Sequence, residues 1–384
     1  MKEIIKLNPI SSKVNDILGD NYTITDNATN PEGILVRSFD MHDYDMPSSI
    51  LCVARAGAGV NNIPSDKYAE QGVVVFNTPG ANANAVCELV ITALLLGSRK
   101  IVPAIDWVKS IKNEEEISKL VEKGKKQFVG REISGKKLGV IGLGAIGAKV
   151  ANSAVALGMQ VLGYDPYLSV VNALHLSHHI NVTNTLDDLY KTCDYITIHV
   201  PYLKDNHHMI DASKIALMKK GTVLINCARG ELVDNQAVLD GINAGKIGRY
   251  ITDFPAKEII GEENVICIPH LGASTPEAED NCAVMAAKEL KEYLENGNIS
   301  NSVNYPNCSA PRTSNCRLAI LHLNQRNMIA QFTTILADKH INIDNLVNAS
   351  KGNYAYTLID IESIDDYAFK AMSEIDGIIK IRKI

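Results

Sequence analysis

Three glycines and an acid are spaced to hold a dinucleotide. Gly142, Gly144 and Gly147 stand in VIGLGAIG directly after the apolar run at 138–141; a helix-compatible segment follows, and a second apolar run closes on Asp165. The first glycine suits a tight turn, the second lets the backbone approach a pyrophosphate, and the third lets the helix pack close to its strand. The N–H groups that open the helix, with the positive end of its dipole, then face the phosphates. A carboxylate at Asp165 accepts hydrogen bonds from ribose hydroxyls. The next residues, Pro166 and Tyr167, offer no cation for a 2′-phosphate, so NAD is expected rather than NADP.

Other chemistry-bearing residues stand where apolar runs end. Arg229 follows 223–226, Asp253 ends 250–253, and His270 follows 265–268. A guanidinium, a carboxylate and an imidazole are therefore expected on one rim of a parallel sheet, where open α/β folds bind ligands. An imidazole exchanges protons near neutrality. A guanidinium grips a carboxylate through two parallel N–H groups. Upstream, Arg37-Ser38 and Arg55-Ala56-Gly57 end two further runs. A glycine-rich turn beside an arginine suits a small anion.

The elements that must position these residues follow from the alternation of apolar runs with polar, helix-compatible stretches. Runs at 4–7, 34–36, 50–54 and 73–76 predict a first parallel α/β sheet, and those at 138–141, 195–200, 223–226, 250–253 and 265–268 a second. Helices are expected over 83–97, 235–244 and 276–296, the last stopping at Gly297, with a charged amphipathic stretch at 106–126 crossing to the second sheet. Residues 298–315, rich in Asn, Ser and Pro, read as a linker. Beyond them, the order strand 317–323, helix 328–339, strand 341–346, strand 355–361, helix 365–373, strand 378–384 predicts a βαββαβ domain, an antiparallel four-stranded sheet with two helices on one face. So short a domain buries little core by itself, which makes pairing with a second copy plausible.

A chain of 384 residues is too long for one core. Its net charge of -6, with scattered Lys and Arg, gives no face for nucleic acid. Lys2, Glu3 and Lys6 break the first apolar stretch, so no signal peptide is expected, and no run reaches the length of a membrane span. The eight cysteines lack paired or metal-ligand spacing and read as buried thiols of a reducing cytoplasm, with no metal site.

Six blocks in order, ARAGAGVNNI, VFNTPGANANAVCELV, VIGLGAIG with Asp165, His199-Val200-Pro201, INCARGELVD and PHLGAST, give the chain a family likeness. It resembles the D-isomer-specific 2-hydroxyacid dehydrogenases, in particular members carrying a C-terminal ACT domain. The resemblance implies two Rossmann-like doubly wound α/β domains and a ferredoxin-like ACT domain: substrate domain 1–97 and 284–305, NAD domain 98–283, linker 306–315, ACT domain 316–384. It implies Arg229, Glu258 and His270 as the catalytic set, with Glu262 and Glu263 as alternative partners of the histidine. Asp253-Phe254-Pro255 departs from the family's usual Asp-Val-Phe. Cofactor contacts are implied at Gly142, Gly144, Ala145, Ile146, Gly147, Asp165, His199, Val200, Pro201, Cys227, Ala228, Asp253 and Gly272, and substrate contacts at Arg37, Ser38, Arg55, Ala56 and Gly57. The small-molecule substrate it implies is 3-phosphoglycerate, oxidised with NAD to 3-phosphohydroxypyruvate on the way to L-serine. The alternatives are a glyoxylate or hydroxypyruvate reductase, another D-2-hydroxyacid dehydrogenase, and an NAD-sensing binding protein without turnover. L-serine is implied as an effector at His322, Asn324 and Asn342. The expected assembly is a homodimer through the NAD domain or a tetramer through ACT, in the cytoplasm, without membrane or nucleic-acid partners.

Overall fold

A computed structural model describes residues 1–384, the side chain of Val171 excepted. The chain forms two compact units, Met1–Asn82 with Pro276–Ile384, and Ala83–Thr275.

The first unit opens with β1 (Lys2–Lys6), β2 (Tyr22–Thr25), β3 (Pro31–Val36), β4 (Cys52–Arg55) and β5 (Val74–Phe76). They form a parallel sheet of order β2-β1-β3-β4-β5. On one face the helix Pro276–Asn296 buries Cys282, Ala283, Ala286, Ala287, Leu290 and Tyr293 against Ile4, Leu35, Ala54 and Phe76.

The second unit carries β6 (Lys137–Ile141), β7 (Gln160–Tyr164), β8 (Ile180–Val182), β9 (Tyr195–Ile198), β10 (Thr222–Asn226), β11 (Ile247–Thr252) and β12 (Val265–Cys267). All seven pair in parallel, in the order β12-β11-β10-β9-β6-β7-β8. Helices cover both faces, which is why β9 and β10 read as unbroken buried runs. The helix Ala83–Ser98 packs Val86, Val90 and Leu94 against Val140, Val223 and Ile251 on one face, and Leu189, Val238 and Ile215 close the other. The expected boundary at 97/98 falls within this helix, which joins the nucleotide sheet because both sides of a parallel sheet must be covered. The expected boundary at 283/284 falls inside Pro276–Asn296, whose whole length belongs to the first unit. The stretch expected as a crossover forms the helices Ile101–Ser110 and Ile117–Gly124, neither of which has a buried residue.

Last in the chain come β13 (Cys316–Leu323), β14 (Ile343–Lys351), β15 (Tyr354–Ile361) and β16 (Ile378–Lys383). They form the expected antiparallel sheet in the order β14-β15-β13-β16. Its two helices, Met328–Asp338 and Asp366–Ser373, pack on one face against Leu318, Ile320 and Ile359. The period-two alternation of a strand sends Ala319 and Leu321 to the other face, where with Tyr356 and Leu358 they enter the core around Tyr293 and Phe76. The small domain thus buries its second face on the unit to which it belongs, without needing a second copy for that burial.

The linker expectation is corrected. Ile299, Tyr305, Cys308 and Ala310 are buried, Val303 N–H donates to Val75 O at 2.9 Å, and Asn304 Oδ1 accepts from Val75 N–H at 3.0 Å. The segment continues the edge of the first sheet, and its Asn and Ser side chains supply hydrogen bonds that composition alone reads as solvated loop. Arg317 pins its end: Nε and Nη2 donate to the two oxygens of Asp360 at 2.6 and 2.8 Å, while Nη1 reaches Asn296 O and Ala310 O, both at 3.0 Å, and Nη2 reaches Pro311 O at 2.9 Å.

Candidate active site

In the second unit the strand order changes direction between β6 and β9, and the glycine turn sits at that point, on the C-terminal end of β6. Gly142 has φ +92°, a conformation open to glycine. A Cβ on Gly147 would lie 1.8 Å from the Gly142 carbonyl oxygen, so only glycine admits this approach of helix to strand. A Cβ on Gly144 would meet nothing within 4 Å, which leaves room for a ligand over the helix start. Gly144 caps the helix Ala145–Ala156 without a side chain, so the opening N–H groups, from Ala145 and Ile146 onward, remain available to an anion. Asp165 accepts from Leu143 N–H on Oδ2 and from Tyr167 N–H on Oδ1, both at 2.9 Å. Each oxygen keeps a second acceptor position for a ribose hydroxyl. The residues fit a dinucleotide.

His199 backs this turn, since a Cβ on Gly142 would lie 2.8 Å from its carbonyl oxygen and 2.9 Å from Val200. Its Nε2 lies 3.0 Å from Thr197 Oγ1, and its Nδ1 is buried without a partner among the described residues. Burial pushes the ring down to about 3, so it stays neutral and is too weakly basic to take a proton near neutrality. Pro201 stands exposed beside it.

The three strand-end groups lie at the C-terminal ends of β10, β11 and β12. Asn226 shapes the turn after β10, its Nδ2 donating to Arg229 O at 2.8 Å and its Oδ1 accepting from Ala228 N–H at 3.1 Å. Arg229 Nη1 donates to Ala228 O at 2.7 Å. Cys227 is buried, and burial raises its thiol. Asp253 is 1% exposed. Burial pushes its carboxyl above the ordinary range, opposed by the charge of His270, the Gly272 N–H and Arg229. Its Oδ1 has no partner among the described residues. His270 donates its backbone N–H to Asp253 O at 3.0 Å, and its exposed ring meets the Phe254 ring at 4.8 Å between centroids.

The exposed carboxylate of Glu258 accepts from Asn235 Nδ2 at 2.9 Å, a bond that holds it below the usual carboxylate range. Glu262 and Glu263 precede β12, at the strand's opposite end from His270. The acid that senses both His270 and Arg229 is Asp253. Asn226, within the INCARGELVD block, and Phe254, beside Asp253, are not among the expected site residues; an Asn closing a buried strand and an aromatic next to a strand-end acid are the signals that mark them.

In the first unit, Arg55 ends β4 opposite Val36 of β3, so Arg37-Ser38 and Ala56-Gly57 leave adjacent strand ends. Arg55 Nε donates to Asn62 Oδ1 at 3.0 Å, and a Cβ on Gly57 would collide with its guanidinium. Arg37 pairs through Nη2 with Glu279 Oε1 at 2.6 Å, and Ser38 Oγ accepts from Asn8 Nδ2 at 3.3 Å.

Residues 91–272 match the model of the D-isomer specific 2-hydroxyacid dehydrogenase NAD binding domain. Over 84% of its length the chain is 34% identical to the D-3-phosphoglycerate dehydrogenase of Escherichia coli K12, covering 79% of that protein. It belongs to the D-isomer-specific 2-hydroxyacid dehydrogenase family. A second family member, the D-3-phosphoglycerate dehydrogenase of Methanocaldococcus jannaschii, is 38% identical over 66% of the chain, and the chain spans about half (48%) of its length. Among solved structures, NAD+-bound 3-phosphoglycerate dehydrogenase of Entamoeba histolytica superposes with a TM-score of 0.61 at 24% identity over 79% of this chain and 98% of that one. The apo D-mandelate dehydrogenase of Rhodotorula graminis gives 0.66 at 22% identity, over 79% and 97%. Among the described residues no helix is long and apolar enough to cross a membrane.

The residues expected to hold an effector lie in the C-terminal sheet and the turns beside it. His322 is 2% exposed; Nδ1 lies 2.8 Å from Leu323 O and Nε2 2.9 Å from Thr357 Oγ1, and the ring packs edge-on against Phe332. Both nitrogens are spent inside the domain, because the alternation of β13 turns His322 inward. Asn324 and Asn342 are exposed, Asn324 Nδ2 donating to Gly352 O at 3.1 Å and Asn342 Nδ2 to Asp344 Oδ1 at 2.9 Å. They stand at opposite ends of the sheet, since Leu323 pairs with Tyr354 while Ile343 pairs with Ile361.

Proposed function

We propose that the chain is an NAD-dependent dehydrogenase that oxidises 3-phosphoglycerate to 3-phosphohydroxypyruvate. The observation that carries the chemistry is the buried Asp253, charge-coupled to both Arg229 and His270 at the strand ends of a dinucleotide-binding sheet. Bound NAD supplies the acceptor for the hydride leaving carbon 2. His270 takes the hydroxyl proton, and the Asp253 carboxylate stabilises the imidazolium that results. Arg229 binds the substrate carboxylate and polarises the forming carbonyl. The substrate phosphate goes to Arg37, Ser38, Arg55, Ala56 and Gly57. The names of the M. jannaschii and E. coli relatives support this choice of substrate.

The test is NADH absorbance with a panel of 2-hydroxy and 2-oxo acids, run for wild type and Arg55→Gln. A charge-assisted bond contributes about 1.5–3 kcal/mol, so the variant should raise KM for 3-phosphoglycerate by about ten- to a hundredfold while leaving unphosphorylated acids nearly unchanged. An unchanged KM points to a glyoxylate or hydroxypyruvate reductase, and a flat trace throughout to an NAD-sensing protein. L-serine as effector rests on Asn324 and Asn342 alone, and an equal serine response in wild type and Asn324→Ala would remove it. A homodimer through the second unit is supported by Ile101, Val102, Ile105 and Val108, exposed along one short helix. Ile105→Lys should lower the measured mass to that of one chain.

A further inference from the structure

The second unit carries a cationic cavity at the end of its sheet away from the glycine turn. The N-terminal ends of β10 and β11, the end of the helix Ala83–Ser98 and residues 129–131 enclose about 290 Å³. Among the described residues, its charged lining is Lys100, Arg131 and Arg249, with no carboxylate. None of the three takes part in an ion pair among the described residues.

Both guanidiniums are held by only part of their hydrogen-bonding capacity. Arg131 stacks over the Tyr195 ring at 4.7 Å and donates from Nη2 to Gly221 O at 3.2 Å. Arg249 donates from Nη1 to Leu96 O at 2.8 Å and Arg99 O at 3.1 Å, capping the end of the helix. Lys100 Nζ reaches Gln127 O at 3.5 Å. Capping accounts for one nitrogen of Arg249 and, among the described residues, leaves Nε and Nη2 without a partner; Arg131 likewise keeps Nε and Nη1. The two cations repel: burial first, then Arg131, lowers the basicity of Arg249. An adjoining cavity shares Lys100 and Arg249 and is lined also by Asp106 and Glu263, neither of which pairs with them. Like charges gathered at a concave site without a counter-ion are stabilised by an anion that bridges them.

The geometry points to a binding site for a phosphate-sized dianion, held by the free edges of Arg131 and Arg249 and by the Lys100 ammonium. It is separate from the dinucleotide and substrate residues, because β10 alone sets its two ends roughly 13 Å apart. The same strands join the two places: β10 runs from Gly221 toward Arg229, and β11 from Arg249 toward Asp253.

Inorganic phosphate is the probe, titrated calorimetrically into the full chain saturated with NADH, so that the dinucleotide site is filled. Arg55→Gln serves as background to remove the other anion site. In that background phosphate should still bind, Lys100→Ala should raise Kd at least about fivefold, and Arg131→Gln should abolish the signal. Lys100 is exposed, so its variant keeps the test informative if Arg131→Gln fails to fold. Crystals soaked in tungstate should show anomalous density between the three cations. No phosphate binding in the Arg55→Gln background, or an isotherm unchanged by Lys100→Ala, overturns the assignment. A change in oligomeric mass on Lys100→Ala with phosphate binding intact also overturns it, since the cations would then hold a second copy.

Discussion

Asp253 and Glu258 divide the site at the level of single residues. Asp253 is buried, keeps one oxygen without a partner and lies in the field of His270 and Arg229, whereas Glu258 is exposed and bonded to Asn235. Asp253→Asn should therefore cost at least about ten times more in kcat/KM than Glu258→Gln, measured by steady-state NADH formation. His270→Asn should lower kcat by about 10²–10⁴ while leaving NADH binding intact by fluorescence titration. Glu289 is a different kind of buried acid. One oxygen accepts from Asn301 Nδ2 at 2.7 Å, the other has no partner among the described residues, and burial pushes the carboxyl up to about 8. A raised native value means that the folded state holds a proton the unfolded chain releases above about 4.3. Stability from this group is full below that pH and is lost as pH rises toward 8. Glu289→Gln should raise the unfolding midpoint at pH 8.5 and change it little at pH 4.5, compared by thermal scans. These residues were unequally legible in the sequence. Arg229 and His270 announce themselves at the ends of apolar runs, but which nearby acid serves them depends on where a short turn points its side chains.

Elements hold those residues by close approach and by buried pairing. The glycine turn works because helix and strand meet where a Cβ on Gly147 would sit 1.8 Å from a carbonyl oxygen. Gly147→Ala should weaken NADH binding by at least about tenfold and lower the unfolding midpoint, since backbone rather than a flexible side chain must yield. In the C-terminal sheet, Arg317 and Asp360 join β13 to β15 and to the segment before them. Burial works to raise the Asp360 carboxyl, but Arg317 and the Thr313 N–H and hydroxyl override it and hold it below the ordinary range. Its contribution to stability is present above the unfolded value near 3.9 and is lost as pH falls through the depressed native value. Arg317→Met leaves a buried charge alone and should destabilise by about 3–5 kcal/mol by denaturant titration, with much of the loss recovered in Arg317→Met/Asp360→Leu. Asn327 stands at φ +70° before the helix Met328–Asp338, a left-handed position that asparagine tolerates.

At the scale of the molecule, the C-terminal sheet shares a core with the strands and the long helix of its unit, through Ala319, Leu321, Tyr356 and Leu358 against Tyr293 and Phe76. Arg382 reinforces the junction, lying 4.2 Å over the Tyr293 ring and donating to Tyr293 O at 2.9 Å. A chain ending at residue 315 should therefore expose apolar surface, unfold at lower temperature and bind a hydrophobic dye, rather than behave as an enzyme that has lost only a regulator. The sequence by itself determined the two parallel sheets, the dinucleotide turn, the βαββαβ order and the strand-end arginines and histidine. Those follow from local periodicity, glycine stereochemistry and the placement of polar groups where apolar runs stop. Only the tertiary structure decided that residues 298–315 are pinned, that His322 is spent inside its own domain, that Asp253 is the acid in the field of His270, and that three cations meet at the far end of the second sheet. Each of these depends on side chains brought together from distant parts of the chain, and spacing along one strand or turn does not encode such contacts.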